Sequence, residues 1–310
     1  MKCVRKARAI FGAGEEIASD DLKQYFQREA LPELAFTPDA EYGVCNREKG
    51  ILHVELSAPA DGSRLESLHG GTVRNAVAAS ARAEARCTAE ECEALEALSK
   101  KMDGKFSFQW SGGVLTAECA GRAAHAMEPQ KGRNAALGAL WSFVDQKIGL
   151  ELDGSSLGLR REDAVSGPLT VNLGVAEQDN GVCRAVLDIR YPVTVDGEEI
   201  FERLRAAAGA YGVKARVLAE QKPLFVPEDT PLIRMLKGAY ETVTGGRARL
   251  YGTGGGTYAR SLQNRGVAFG PVFPGEENHL HDADEFIEIE KFMLHAQICL
   301  EALFRMATQK

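Results

Sequence analysis

The sequence predicts an α/β chain interrupted by an α+β insertion built from two ferredoxin-like halves. Three observations predict it. Val4–Phe11 alternates weakly and ends in Gly12-Ala13-Gly14, which reads as a strand and a glycine turn. Between Ile51 and Glu220 a strand, helix, strand order occurs twice. After Lys222-Pro223 come a helix, a glycine-rich turn, a short strand and a final amphipathic helix, the grammar of an α/β sheet.

The elements follow in order. Ser19-Asp20-Asp21 is placed as a helix N-cap, with Leu22–Arg28 behind it. Thr37-Pro38-Asp39-Ala40 reads as a turn that starts an element. Ile51–Ser57 reads as a strand, and Gly70–Val77 starts another element. Thr88-Ala89-Glu90-Glu91 is a capping box that opens a helix to about Met102. Phe106–Trp110 and Val114–Ala120 form a hairpin around Ser111-Gly112-Gly113. Asn134–Ile148 has Leu137, Leu140, Trp141 and Val144 on one helical face. The second set is Leu169–Glu177, Cys183–Val193, a helix at Glu198–Tyr211, and Val213–Glu220. Pro231–Thr244 reads as a helix ended by Gly245-Gly246, and Glu288–Arg305 as the last helix, strongly apolar on one face.

The bulk numbers exclude some functions. The 310 residues suffice for one large or two ordinary domains, and 45% hydrophobic content supports a proper core. A net charge of −7 argues against a nucleic-acid binder. No apolar run approaches the roughly 20 residues of a membrane span, and MKCVRKARAIFG lacks the apolar stretch of a signal peptide. Seven scattered cysteines without a C-x-x-C pair read as free thiols in a reducing cytoplasm.

The chemistry concentrates in Tyr251–Glu285. Gly254-Gly255-Gly256-Thr257 can bring backbone N–H groups up to an anion. Glu276, Glu277, His279, His281, Asp284 and Glu285 crowd ten residues, and imidazole beside carboxylates suits a divalent metal. Glu15 and Glu16 follow the first glycine turn, at the strand end where open α/β sheets build their sites. Each feature also has a structural reading: a plain turn, a solvated acidic loop, a surface dipeptide.

Taken together, these stretches resemble the zinc or manganese dipeptidases of the PepV/Sapep type, within the metal-dependent aminoacylases, carboxypeptidases and dipeptidases. The resemblance runs over essentially the whole chain. It implies a zinc-peptidase-like catalytic domain with a mostly parallel sheet at 1–48 and 223–310, and a lid domain at 49–222. It implies Glu15 as general base and Glu16, Asp39 and His281 as metal ligands. From the lid, His125 would bond the oxyanion, and Asn75 and Arg190 would hold the substrate's backbone and terminal carboxylate. Gly254, Gly255, Gly256 and Thr257 would form an anion-binding turn. Read alone, Asn75 fits a strand-entry turn, His125 a position ahead of a loop, and Arg190 an ion pair with Asp188. The implied reaction is hydrolysis of a dipeptide or short peptide by metal-activated water.

The resemblance also exposes a gap. The family's metal pair needs a His-x-Asp motif and a bridging Asp, upstream of the Glu-Glu strand. The six histidines here are followed two positions on by Glu55, Gly71, Met127, His281, Ala283 and Gln297. The expectation is therefore an N-terminally truncated catalytic domain, inactive or nearly so alone, with an incomplete zinc or manganese site. A separate N-terminal fragment or a homo-oligomer are its expected partners; nucleic acid and membrane are not. A catalytically dead dipeptide- or amino-acid-binding protein, and an acylase or deacetylase of the same superfamily, are the alternative functions.

Overall fold

The computed structural model describes residues 4–15, 19–60, 64–100, 105–121, 147–148, 151–276 and 285–308. The chain divides into two compact units, Met1–Lys49 with Pro223–Lys310, and Gly50–Lys222.

In the first unit the sheet is mixed and Val44–Glu48 is its hub. Leu250–Thr253 runs parallel to this strand. Leu224–Phe225 and the end of Gly266–Ala268 pair with it antiparallel. Ala35–Thr37 lies parallel to Gly266–Ala268. Helix Pro231–Thr244 forms because Thr230 caps the Ile233 N–H, Pro231 opens the first turn, and Gly245 stops the helix at φ 71°. Its Leu232, Ile233, Leu236 and Ala239 pack with Val44, Val267, Phe269 and the Ile298, Ala302 and Met306 stripe of helix Ile289–Thr308. That last helix carries a second apolar stripe, with Ile289, Phe292, Met293, Leu300, Leu303 and Phe304 all exposed.

Besides the sheet, which is mixed rather than mostly parallel, two expected features of this unit differ. Val4–Phe11 is not a strand: the Val4 and Arg5 N–H groups donate to the Ala307 carbonyl, and Phe11 is 96% exposed. A strand needs a paired edge, and weak alternation alone does not supply one. Helix Asp20–Tyr25 does start after Ser19, but Ser19 is left-handed at φ 56° and makes no side-chain cap.

The second unit is an eight-stranded antiparallel sheet. In spatial order the strands are Lys214–Gln221, Gly50–Pro59, Val182–Tyr191, Thr170–Asp179, Leu65–Gly70, Ser80–Arg86, Val114–Ala120 and Lys105–Ser111. One face is apolar: Leu52, Val54, Leu56, Leu187 and Ile189 pack under helix Gly197–Gly209, which buries Ile200, Leu204 and Ala208. The alternate residues His53, Glu55, Arg184, Asp188 and Arg190 give the opposite face its polar character. There Glu55 accepts from Arg184 and Arg216, and those bonds hold its carboxyl below the usual range. Helix Ala89–Ser99 starts with both bonds of the Thr88–Glu91 capping box. The hairpin turn at Gly112-Gly113 has φ 60° and 84°, a conformation that glycine adopts without steric cost. Of the helix read at Asn134–Ile148, residues 134–146 lie outside the described residues. Among the described residues no helix is long and apolar enough to cross a membrane.

These packing differences rank two substitutions. Leu204→Ala removes a fully buried side chain and lowers unfolding free energy by about 2–5 kcal/mol. Thr88→Ala loses an exposed cap and costs about 1 kcal/mol. Denaturant midpoints of both variants against the parent check the ranking.

Candidate functional site

The strand Val44–Glu48 carries hydrophobic residues into the core and ends on a carboxylate that is 0% exposed. Glu48 Oε1 accepts the Thr257 hydroxyl at 2.7 Å, and Oε2 faces the Thr257 N–H at 3.3 Å. Arg260 Nε lies 2.8 Å from Oε2, but its N–H does not point at the oxygen, so this contact is Coulombic more than a hydrogen bond. Burial pushes the Glu48 carboxyl above its usual range, while Arg260 and Thr257 pull the other way. Arg260 also donates to the Lys49 and Gly255 carbonyls, both at 2.6 Å. The Gly255 N–H is bonded to Thr253 Oγ1 at 3.0 Å. The turn Gly254–Thr257 is therefore fastened at both ends and in the middle. It follows the C-terminal end of Leu250–Thr253, the end of a strand at which open α/β sheets build their sites.

The next residue extends the network. The Tyr258 hydroxyl donates to Asp21 Oδ2 at 2.7 Å and accepts the Gly14 N–H at 2.9 Å. Asp21 Oδ2 also accepts from the Ala13 and Gly14 N–H groups. The Tyr258 bond, and after it those backbone bonds, hold Asp21 below the usual carboxylate range. Burial and Asp21 raise the Tyr258 hydroxyl. Gly12 is required here, because a Cβ would stand 2.2 Å from the Tyr258 oxygen. Tyr258 thus joins the Gly12–Glu15 segment to the glycine turn.

The expected site residues distribute as follows. Glu15 is half-buried directly after Gly14, and Gly254, Gly255, Gly256 and Thr257 are half-buried in the fastened turn. Both the hydroxyl and the N–H of Thr257 face Glu48. Asp39 is half-buried between the strands Ala35–Thr37 and Ala40–Glu41. Because Ala35–Thr37 and Val44–Glu48 run in opposite directions, Asp39 and the glycine turn lie at opposite ends of this sheet. At about 3.3 Å per residue the strand alone separates them by roughly 13 Å. In the second unit Asn75 is exposed in a turn. Arg190 is 3% exposed and bonds Asp188 through Nε at 2.5 Å and a terminal nitrogen at 2.6 Å. Burial alone would raise Asp188, yet His53 and Arg190 hold it below the usual range. Glu16, His125 and His281 lie outside the described residues. By donor chemistry, Glu16, Asp39 and His281 suit zinc or manganese. Among the described residues no three His, Cys, Asp or Glu side chains stand together as a metal group.

Sequence reading missed Glu48, Asp21 and His53, and gave Tyr258 and Arg260 no role. A usable signal existed for one of them. His53 interrupts the apolar run Ile51-Leu52-His53-Val54, where an imidazole has to find partners. The frame makes a prediction. Arg260→Met leaves Glu48 buried without its cation and lowers unfolding free energy by about 3–5 kcal/mol. Adding Glu48→Leu to that variant recovers much of the loss in a denaturant titration.

No family model matches the chain. The protein named "Putative dipeptidase YtjP" of Bacillus subtilis (strain 168) is 32% identical over 328 residues, covering 98% of this chain and 70% of the relative. A relative of the same description from Staphylococcus haemolyticus is 30% identical over 333 residues, with 98% and 70% covered. Among solved structures, an M20 family metallo-carboxypeptidase, Sso-CP2 from Sulfolobus solfataricus, superimposes with a TM-score of 0.49 at 15% identity, covering 94% of this chain and 68% of that one. Aminoacylhistidine dipeptidase from Vibrio alginolyticus gives 0.48 at 13% identity, with 90% and 66% covered. Sharing about a third of its residues with the Bacillus protein along nearly its full length, the chain belongs to the family of these putative dipeptidases.

Proposed function

We propose that the chain serves hydrolysis of dipeptides or short peptides, as the larger part of a metal-dependent dipeptidase. The observation that carries this reading is the Tyr258 link, which ties the Glu15 segment to the glycine turn in one hydrogen-bonded network. The turn contacts the substrate, with Thr257 bracing it through Glu48. Glu15 is the general base. Glu16, Asp39 and His281 hold a divalent metal, zinc or manganese, which when bound supplies Lewis acidity toward the peptide carbonyl. Residues 49–222 act as a lid whose His125 stabilises developing negative charge, while Asn75 and Arg190 hold the peptide's backbone and terminal carboxylate.

On this reading Asp39 and the glycine turn engage different points of an extended ligand, because the sheet separates them. The donor set is short of what a two-metal site requires, since the 310 residues contain no His-x-Asp. These residues alone are therefore inactive or nearly so. The exposed apolar stripe on helix Ile289–Thr308 supports a further polypeptide, a separate fragment or a second copy, as partner. The six described cysteines are free, which supports a reducing, cytoplasmic setting.

The lack of His-x-Asp also favours a second reading, a binding protein for dipeptides or amino acids without turnover. Calorimetric titration with zinc or manganese, alongside a dipeptide cleavage assay, separates the two. The main reading predicts metal uptake lost in Asp39→Asn, with no turnover by these 310 residues alone. Two tightly bound ions with turnover contradict the incomplete site. Dipeptide binding that ignores metal and Asp39 supports the binding protein.

A further inference from the structure

The sheet of the second unit has a hollow at its Lys105–Ser111 edge. In paired strands, residues opposite one another share a face, and so do residues two apart. His69 stands opposite Arg82, Arg82 opposite Glu118, and Glu118 opposite Ser107. These side chains form one row across four strands. Two residues along, Ser80 stands opposite Ala120 and Ala120 opposite Lys105, with the Gly71 N–H bonded to the Ser80 carbonyl. This second row offers only small groups until Lys105 on the edge strand. Gly71 has to be glycine, because at φ 72° a Cβ would stand 1.9 Å from the Gly174 carbonyl oxygen. Long side chains beside Gly, Ser and Ala leave a cleft of about 650 Å³, within the range of small-ligand sites.

The donors around this cleft are unspent. Arg82 donates to Glu118 and Glu84, both at 3.0 Å, so Glu118, the carboxylate among the described lining residues, already has its cation. The charges of Arg82 and Glu118 cancel, and the Lys105 ammonium is left over. Among the described residues, the side chains of Lys105, Thr72, Ser80 and Ser107 make no hydrogen bond or ion pair. One ammonium and three hydroxyls around a hollow suit a carboxylate, which only accepts. Thr72 also opens the turn that carries Asn75, three residues on and so within about 10 Å.

We propose that the cleft is a side-chain subsite for an acidic residue of the peptide, with Lys105 as its specificity-determining residue. The Lys105 ammonium pairs with the side-chain carboxylate, and the hydroxyls of Ser80 and Thr72 donate to it. The small row of Gly71, Ser80 and Ala120 gives the side chain its room. This rests on the reading of Asn75 as the residue that holds the peptide's backbone, and it names a substrate class that reading leaves open.

The test is calorimetric titration of the 310-residue chain with zinc present. The probes are two isosteric pairs, glutamyl-alanine with glutaminyl-alanine and alanyl-glutamate with alanyl-glutamine, together with alanyl-alanine and inorganic phosphate. In at least one pair the parent prefers acid over amide by roughly threefold to fivefold, the worth of a partly exposed ion pair. Lys105→Met abolishes that preference and Lys105→Arg keeps it. Ser80→Leu, which fills the hollow, weakens both members of the preferred pair and leaves alanyl-alanine unchanged. These are ratios within one protein, so a general loss of stability does not move them. Binding of alanyl-alanine with no acid preference in either pair, or a preference that survives Lys105→Met, overturns the subsite and leaves the peptidase reading intact. Lys105-dependent binding of phosphate without any acid preference among the peptides overturns it in favour of a site for free anions. A parent chain that binds none of the peptides overturns both readings.

Discussion

One buried carboxylate organises the first unit. Glu48 ends the hub strand without solvent, and an ionised group there is tolerable only if donors surround it. Thr257 donates to it and Arg260 stands beside it as the compensating cation, and both belong to the segment that continues from the parallel neighbour Leu250–Thr253. Satisfying Glu48 thus dictates the path of the glycine turn. The turn in turn delivers Tyr258 to Asp21 and Gly14, more than two hundred residues away in the chain. A local electrostatic demand becomes a long-range positional one. That is how a loop rich in glycine, which has the most conformational freedom to lose, is held in one shape.

The second unit uses the same principle on a sheet. Alternation sends Leu52, Val54 and Leu56 to the helix-covered face and His53 and Glu55 to the other. On that second face the buried charges come as a connected set, His53 with Asp188 with Arg190, while the more exposed Arg184 and Arg216 share Glu55. Buried polar networks of this kind hold side chains at fixed angles, which is what directional recognition of a small ligand needs.

Much of the scaffold was legible from local chemistry. Pro231 and Gly245 bracket their helix, the Thr88–Glu91 box opens another, and Gly112-Gly113 turns a hairpin, each by a mechanism confined to a few residues. What local chemistry did not reveal depends on distant partners. Val4–Phe11 has a strand's pattern but, among the described residues, no strand beside it. Ser19 has a capping side chain but a left-handed backbone. Helix Ile289–Thr308 is apolar on two stripes, and only packing decides that Ile298, Ala302 and Met306 go inside while Leu300 stays out at 69% exposure. The ion pair of Arg190 with Asp188 was readable from their two-residue spacing; the His53 that completes it sits 135 positions away. For the candidate site, the glycine turn could be named from sequence, whereas the Glu48 frame that shapes it could not.

The central claim is that the fastened glycine turn receives a peptide beside the Glu15 segment. Amide chemical shifts recorded during addition of a dipeptide address it directly. The account predicts that the N–H signals of Gly254 and Gly256, and of Gly14 across the Tyr258 link, move together along one saturation curve. Signals that stay fixed there, while others in the chain respond to the peptide, would contradict it.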